Sequence, residues 1–479
     1  MHGVVEIVLA VAILLGIRLM GAPETAVRGN RLAALSLLTA ILLVLWSQEL
    51  LALPLVLVSL LAGAVLGLVL AVRVTMLQMP QLVALLNGLG GAASLLTAFA
   101  AAEVSAHAGN LYDLVTGGLA VAVGGVTLSG SLVAAAKLHR LLPQQPLRFP
   151  LGVRIAGAIL IVLFVLLITL GGGLGGPGIM MGLTLLAAGA LVFGALFALP
   201  VGGADMPITI SLLNATSGIA ASICGFVVDD AFLVAAGAVV GAAGLILTRV
   251  MCAAINRSLL QVLTGATMAG ANAPAADAVA ASEPAAGGAP LDSAGGPAPA
   301  AFDPVEALLE ANRIIIIPGY GMALGEAEGP VRDLYELLDH LGKDVRFAIH
   351  PVAGRMPGHM TVLLADVDIP YDKMVQLQEV NSEFAQTDVA LVVGACDVVN
   401  PAAITARGTP IYGMPILHAH DARNVIVCNA DTKPGYSGIE NPLYGRENVV
   451  LLLGNAATTL ETLLHDLESR IASRQQTGP

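Results

Sequence analysis

Charged residues are scarce in this chain. They make up 12% of its 479 residues, roughly half the share found in soluble domains, whereas 56% of the residues are hydrophobic. The charges are also unevenly divided: residues 1–260 hold ten Lys or Arg and eight Asp or Glu, and residues 261–479 hold twelve and twenty-six. A net charge of −12 gives no sign of nucleic-acid binding. The composition indicates a membrane domain followed by an acidic soluble domain.

Cysteine motifs are also lacking. The four cysteines show no CxxC spacing and no metal-binding pattern with histidine. Two lie in apolar segments and two at the ends of strand-like runs, which favours small buried side chains over metal ligands. The sequence therefore predicts no metal site. The cysteines are Cys224, Cys252, Cys396 and Cys428.

Nine apolar runs are long enough to cross a bilayer, which takes about 20 residues. Several are rich in glycine, alanine and serine, which predicts closely packed helices. The first run lacks a basic flank and a cleavage site, so we expect a retained membrane helix and not a signal peptide. The predicted spans are 3–20, 31–47, 51–72, 80–102, 112–136, 152–172, 178–200, 206–226 and 231–252.

The basic residues of the apolar half predict its orientation. All ten Lys and Arg follow odd-numbered spans, and the connections after even-numbered spans contain none. The positive-inside rule then places the N-terminus outside and the C-terminal domain in the cytoplasm. We expect a multi-pass protein embedded in a lipid bilayer.

Polar side chains within the predicted spans are few, and no carboxylate or histidine lies in mid-helix. Asn87 and Asn214 are central, Asp205 opens the eighth span, and Ser211 and Ser217 lie near Asn214. An intramembrane polar group is a functional-site candidate, and hydrogen bonding that merely holds helices together is the alternative. The structural interpretation is favoured for the serines, and both stay open for the asparagines.

The rest of the chain is predicted to be a tether and an α/β domain. Residues 263–302 are dominated by alanine, proline and glycine, which indicates a flexible linker between a membrane domain (1–262) and a soluble domain (303–479). Alternating strand-like and helical runs in the soluble domain predict a Rossmann-like, doubly wound parallel sheet. Predicted strands are 313–317, 345–349, 361–364, 388–393, 424–428 and 449–453; predicted helices are 322–341, 372–384 and 456–473.

A glycine turn follows the first of these strands. The apolar run Ile314 to Ile317 suits a buried parallel strand, and the sequence Pro-Gly-Tyr-Gly then leads into a helical pattern. This arrangement is typical of the phosphate cradle of dinucleotide-binding folds, with a plain turn as the alternative. An ordinary NAD site has an acid after the second strand, where this chain has His350 and a proline. Either the nucleotide lies in an unusual orientation or this is not an ordinary NAD site.

Several long motifs resemble those of one family. They are Pro318-Gly-Tyr-Gly-Met-Ala, His350-Pro-Val-Ala-Gly-Arg, Pro357-Gly-His-Met, Val399-Asn-Pro-Ala-Ala, Asn441-Pro-Leu, Met79-Pro-Gln, Gly202-Gly-Ala-Asp-Met-Pro and Met251-Cys-Ala-Ala-Ile-Asn-Arg-Ser. In this order they closely resemble the β subunit of proton-translocating nicotinamide nucleotide transhydrogenase. Only the predicted tether falls outside the resemblance.

The resemblance implies a complex that moves hydride between NAD(H) and NADP(H) while a proton crosses the bacterial inner membrane. This chain would supply membrane helices and the cytoplasmic NADP(H)-binding domain, where the nucleotide lies reversed relative to an ordinary Rossmann ligand. A partner α subunit would supply the NAD(H)-binding domain and further membrane helices, and two αβ units would form a dimer.

The motif positions imply roles for individual residues. Asp397, an acid suspected of linking protonation to nucleotide binding, and Tyr320, a positioning residue, are the catalytic candidates. Asn87, Asp205, Ser211, Asn214 and Ser217 would lie on the proton path. Residues implied to contact the nucleotide are Gly319, Tyr320, Gly321, Met322, Ala323, Val352, Ala353, Gly354, Arg355, Gly394, Ala395, Asp397, Asn429, Ala430, Asp431, Lys433, Gly435 and Tyr436.

Two positions depart from the family pattern. Asn87 stands where some members have a proton-relay histidine, which other members carry on a partner subunit. Asn429-Ala430-Asp431 replaces a Lys-Arg-Ser run that meets the 2′-phosphate of NADP. Because an aspartate repels a phosphate and suits a free ribose hydroxyl, NAD(H) is an alternative ligand here.

A second function class also fits a membrane domain joined to a nucleotide fold. A transporter or channel gated by a nucleotide-sensing Rossmann-like domain would work without a second nucleotide-binding subunit. It would need substrate-sized polar cavities among its helices. A neighbouring gene encoding an NAD-binding domain would favour the transhydrogenase instead.

Overall fold

The structure, a computed structural model, divides into two compact units. It describes residues 2–47, 49, 53–75, 78–105, 111–143, 147, 149–171, 176–202, 205–255, 258–264, 302–354, 358–409 and 411–476. Residues 265–301 of the predicted tether, and Arg355, lie outside the described residues.

The first unit is helical, because a backbone surrounded by lipid must satisfy its own hydrogen bonds. Eight helices of the described chain are long and apolar enough to cross a membrane; the first predicted span forms a helix but is not among the eight. The helices are α1 (His2–Leu19), α2 (Pro23–Ser47), α3 (Pro54–Arg73), α4 (Met79–Ser105), α5 (Leu111–Leu138), α6 (Pro150–Gly171), α7 (Gly176–Ala198), α8 (Met206–Val227), α9 (Ala231–Ala254) and α10 (Leu259–Thr264).

The observed helix bounds follow the apolar runs closely. All but one agree with the predicted spans to within three residues at each end. The exception is α2, which begins at Pro23 and not at residue 31. Arg28 and Arg31 interrupt its apolar run but not its helix, since arginine is a good helix former.

Glycines bring the central helices of this unit close together. A Cβ placed on Gly91 of α4 would lie 2.6 Å from the carbonyl oxygen of Gly124 of α5. One placed on Gly194 of α7 would lie 2.4 Å from the carbonyl oxygen of Val126 of α5. Larger side chains would force these helices apart, as the small-residue content predicts.

The second unit is built on a six-stranded parallel sheet in the order β3-β2-β1-β4-β5-β6. Its four central isoleucines, Ile314 to Ile317, are fully buried. The elements are α11 (Pro304–Glu310), β1 (Arg313–Pro318), α12 (Tyr320–Leu324), α13 (Glu328–His340), β2 (Asp344–Ile349), α14 (His359–Asp366), β3 (Met374–Gln376), α15 (Leu377–Val380), β4 (Val389–Val393), α16 (Ala402–Thr405), β5 (Asn424–Asn429), β6 (Val449–Leu453) and α17 (Ala456–Gln476).

The predicted fold class, a membrane bundle plus a doubly wound parallel sheet, is confirmed, but three local predictions are wrong. The strand predicted at 361–364 is part of helix α14, whose buried Met360, Leu363 and Leu364 recur at helical spacing. The helix predicted at 372–384 is instead a 3₁₀ turn, the edge strand β3 and short helix α15. The helix predicted at 322–341 is broken between α12 and α13, where Glu326 has a φ of 50°.

Candidate functional site

The glycine turn lies where the strand order reverses. In this order β1 and β4 are neighbours whose chains leave the sheet in opposite directions, which is where such folds bind ligands. The Gly319 amide donates to the carbonyl of Val393 at 2.8 Å, and the Gly321 amide donates to the carbonyl of Gly394 at 2.8 Å. The ends of β1 and β4 are thereby joined at the centre of the predicted site.

Three glycines make this close approach feasible. A Cβ on Gly319 would lie 2.2 Å from the Gly394 carbonyl oxygen, and one on Gly321 would lie 2.7 Å from the Gly394 Cα. Gly394 itself has a φ of +65°, and its Cβ would meet the Met322 nitrogen at 2.1 Å. Backbone atoms therefore occupy the positions where Cβ atoms would lie at these three residues. A dinucleotide cradle requires such a close approach of the backbone. Met322 and Ala323 are buried beneath the turn.

Three amides of this turn already have backbone acceptors. Besides Gly319 and Gly321, Met322 donates its N–H to the carbonyl of Gly319 at 3.1 Å. The helix that follows, α12, has only five residues. The glycines consequently fit a dinucleotide by leaving room for it, and its phosphates would need donors from other loops.

The loop after β2 is the second predicted nucleotide segment. His350 is buried; its Nε2 donates to the carbonyl of Pro415 at 2.8 Å and its Nδ1 accepts the Val352 N–H at 3.3 Å. Burial lowers the pKa of His350 to about 4, so the ring is neutral near pH 7. This histidine shapes the loop that carries Val352, Ala353 and Gly354 and leaves no acid for a ribose hydroxyl.

His359 brings this loop to the glycine turn. Gly354 has a φ of +100°, and a Cβ there would lie 2.4 Å from the Nδ1 of the fully buried His359. The His359 ring also lies 6.3 Å from the ring of Tyr320, centroid to centroid. Sequence reasoning did not single out His359, although it lies within one of the matched motifs.

Asp397 anchors a third loop. Its two carboxylate oxygens accept the Ser437 N–H at 2.9 Å and the Ser437 hydroxyl at 2.7 Å. A Cβ on Gly435 would approach the Asp397 Cγ to 2.8 Å. The carboxylate therefore fastens the segment that holds Gly435 and the exposed Tyr436 beside the Gly394–Ala395 turn. This arrangement accounts for an acid at position 397 without requiring contact with a ligand.

The segment after β5 carries the departure from the family pattern. Asn429 is buried, and its Nδ2 donates to the Ala395 carbonyl and to the Tyr444 hydroxyl, both at 2.9 Å. It thus holds β5 against the β4 loop and does not point outward. Asp431 is exposed; it accepts the Lys433 amide at 3.0 Å and lies 3.1 Å from the Lys433 ammonium. The positive charge nearest Ala430 in this loop is therefore offset by a carboxylate.

Polar side chains of the bundle converge between α4 and α8. The Asn87 Nδ2 donates to the carbonyl of Ile210 at 3.4 Å, and a Cβ on Gly90 would lie 2.7 Å from the Ser217 hydroxyl. Asn214 shares a face of α8 with Ser217, three residues on. Thr127 on α5, which sequence reasoning did not single out, donates to Thr216 on α8 at 3.0 Å.

Two predicted proton-path residues lie away from this convergence. The Ser211 hydroxyl donates to the Gly244 carbonyl at 3.2 Å and accepts from Thr248 at 3.1 Å, so it joins α8 to α9. Asp205 immediately precedes α8 and is half-buried at the end of the bundle. Of the predicted proton-path residues, Asn87 and Ser217 thus lie at the α4–α8 contact. Within the described residues, no three His, Cys, Asp or Glu side chains form a metal-binding group.

Comparisons with known proteins match nearly the entire chain. A sequence profile of the family described as "NAD(P) transhydrogenase beta subunit" matches residues 2–466. Two curated relatives, from Rhodospirillum rubrum and from one of its strains, are both described as "NAD(P) transhydrogenase subunit beta". Each is 39% identical over 487 aligned residues, which cover 96% of this chain and 97% of the relative. The similarity therefore includes both structural units.

Proposed function

Because the chain belongs to the family of NAD(P) transhydrogenase beta subunits, we propose that it couples hydride transfer between two nicotinamide nucleotides to proton movement across a membrane. It is a subunit of an oxidoreductase, and its partner is an alpha subunit. In this proposal NADP(H) binds to this chain and NAD(H) to the alpha subunit, and two αβ units form a dimer. The complex lies in the bacterial inner membrane, with the N-terminus outside and the nucleotide domain in the cytoplasm.

The observation that carries the proposal is the contact of Gly319 and Gly321 with Gly394 at the point where the strand order reverses. It supports a dinucleotide lying across the ends of β1 and β4. The loop of Val352 to Gly354 would hold the nucleotide from one side, and the loop of Gly435 and Tyr436 would close from the other. Asp397 would govern that closure, because both of its carboxylate oxygens hold Ser437.

Nicotinamide nucleotides supply the hydride donor and acceptor, so this chain need not contribute an acid or base to the chemical step. Its residues would bind one nucleotide, orient it towards the partner subunit and exclude water. Tyr320, which lies in the glycine turn, would position the ligand. The loop of Gly435 and Tyr436 would be open in one state of the domain and closed in the other. The two states would have different affinities for the nucleotide.

Proton movement would bias these two states. The proposed membrane domain (1–262) carries Asn87, Asn214 and Ser217 at the α4–α8 contact and Asp205 at the end of the bundle. A proton on this path and a nucleotide on the soluble domain (303–479) would alter each other's binding reciprocally. The linker at 263–302 would allow the soluble domain to move.

Hydride transfer that depends on both subunits tests the proposal. The full chain is purified with and without its alpha subunit, and reduction of the 3-acetylpyridine analogue of NAD by NADPH is followed at the absorbance band of the reduced analogue, because NADH and NADPH themselves absorb alike. We expect transfer only when both subunits are present. Transport of a solute by the chain alone, with no hydride transfer in the complex, would favour the gated transporter instead.

A second candidate for the ligand of this site is NAD(H), and the Asp431–Lys433 pair supports it. A carboxylate 3.1 Å from the only lysine of the loop offsets the charge that would attract a 2′-phosphate. Titrating the full chain with NADPH and with NADH, by nucleotide fluorescence, separates the two ligands. Equal or tighter binding of NADH would reject NADP(H) specificity.

An Asp431→Ser variant sharpens this titration. If the carboxylate opposes a 2′-phosphate, its removal should tighten NADPH binding by about tenfold, which corresponds to about 1.4 kcal/mol. Binding of NADH should not tighten. Unchanged NADPH affinity would show that Asp431 does not face the phosphate.

A further inference from the structure

Lys137 is a lysine with none of its surface exposed. It lies in the last turn of α5, and it is the only lysine before Lys343. A lysine near a helix end ordinarily extends its ammonium group to water. A cation turned inward within a membrane bundle is costly and is usually retained for a function.

The ammonium group of Lys137 is bound to the end of a neighbouring helix. Its Nζ donates to the carbonyl of Leu199 at 2.5 Å and to the carbonyl of Val201 at 2.8 Å. Helix α7 ends at Ala198, so these carbonyls lie just past its C-terminus, where backbone oxygens lack helical partners and the helix dipole is negative. Leu199 also accepts the N–H of Leu147 at 3.1 Å.

The segment that Lys137 binds leads to the start of α8. Val201 is fully buried and stands four residues before Asp205, whose N–H donates to the carbonyl of Gly202 at 3.0 Å. Met206, the next residue, is fully buried as well. Because Gly202 directly follows Val201 and accepts the Asp205 N–H, we expect a displacement of the Val201 carbonyl to displace Asp205 as well. Lys137 thus joins α5 to the residues that directly follow α7.

We propose that Lys137 is a positioning residue for proton translocation: it fastens the α7–α8 connection to α5 and thereby sets the place of Asp205. This inference rests on the proposed function, in which Asp205 lies at the end of the proton path. It assigns to Lys137 the coupling between proton movement and hydride transfer, and no part in the hydride step itself. If Lys137 only capped α7, its substitution would impair assembly and would lower hydride transfer and proton movement together.

The test uses the complete complex in proteoliposomes and measures protons moved per hydride transferred. Lys137→Met removes the ammonium group while keeping an unbranched apolar stem. We expect its proton-to-hydride ratio to fall by about tenfold, because the loss of one charged hydrogen bond changes the equilibrium that positions Asp205 by about that factor. Arg140→Met, which removes a charge from an exposed side chain three residues on, should keep the wild-type ratio.

A double variant separates positioning from packing. If Lys137 acts through Asp205, adding Lys137→Met to Asp205→Asn should lower the ratio no further than Asp205→Asn alone. Additive effects, or an assembled Lys137→Met complex with an unchanged ratio, would overturn the inference. Should Lys137→Met not assemble, Lys137→Gln, which keeps one donor group, is measured by the same criterion. A wild-type complex without hydride transfer would instead refute the proposed function.

Discussion

Adding one methyl group at Gly394 should disrupt the nucleotide site. A Gly394→Ala side chain would lie 2.1 Å from the Met322 nitrogen and 2.3 Å from the Gly321 carbonyl carbon, both of which are backbone atoms that cannot rotate away. Its φ of +65° adds the cost of a left-handed conformation. About 1–2 kcal/mol for the backbone and about 1–3 kcal/mol for overpacking give a destabilisation of about 2–5 kcal/mol.

Gly342→Ala is the matched control, because Gly342 also has a positive φ, +76°, but has nothing within 4 Å of the added methyl group. It should cost only the backbone contribution of about 1–2 kcal/mol. Hydrogen exchange of the β4 amides, followed by mass spectrometry of the full chain, measures both losses. Nucleotide fluorescence should show weaker binding for Gly394→Ala alone. Equal destabilisation by Gly394→Ala and Gly342→Ala would refute the close contact between the turn after β1 and the turn after β4.

Two further predictions concern the loops around this turn. Asp397→Asn should weaken the two hydrogen bonds to Ser437, so the amides of residues 433–438 should exchange about tenfold faster and nucleotide should dissociate faster; unchanged exchange would contradict the anchoring role. His350 should make stability depend on pH: its folded pKa of about 4 lies below the ordinary 6.5, so its contribution is complete above pH 6.5 and is lost as the pH falls towards 4. The loss is up to about 3 kcal/mol, and it should be absent from the pH profile of unfolding of His350→Gln.

The membrane helices were predictable because their apolar runs must match the thickness of a bilayer. The start of α2 was predicted too late, because Arg28 and Arg31 interrupt the apolar run. Hydropathy reports on lipid exposure and not on helix formation. In the soluble unit, Ile314 to Ile317 predicted a central strand correctly. Residues 361–364 were misread as a strand because so short an apolar run does not reveal its period.

The glycine turn was predictable in kind but not in its partner. Sequence reasoning placed Gly319 and Gly321 beside a ligand, whereas their tight contact with Gly394 depends on the sheet order. The sequence likewise did not reveal that the Asn429 amide donates to Ala395 and Tyr444 inside the domain. Lys137 gave no local signal beyond its charge, because its acceptors lie more than sixty residues away in sequence.

Proton movement driven by hydride transfer tests the central proposal most directly. Proteoliposomes containing this chain and its alpha subunit are given a reduced and an oxidised nucleotide, and internal pH is followed with a trapped dye. We predict a pH change that begins with hydride transfer, is abolished by a protonophore and is absent without the alpha subunit. Steady hydride transfer with no pH change in sealed vesicles would contradict the coupling.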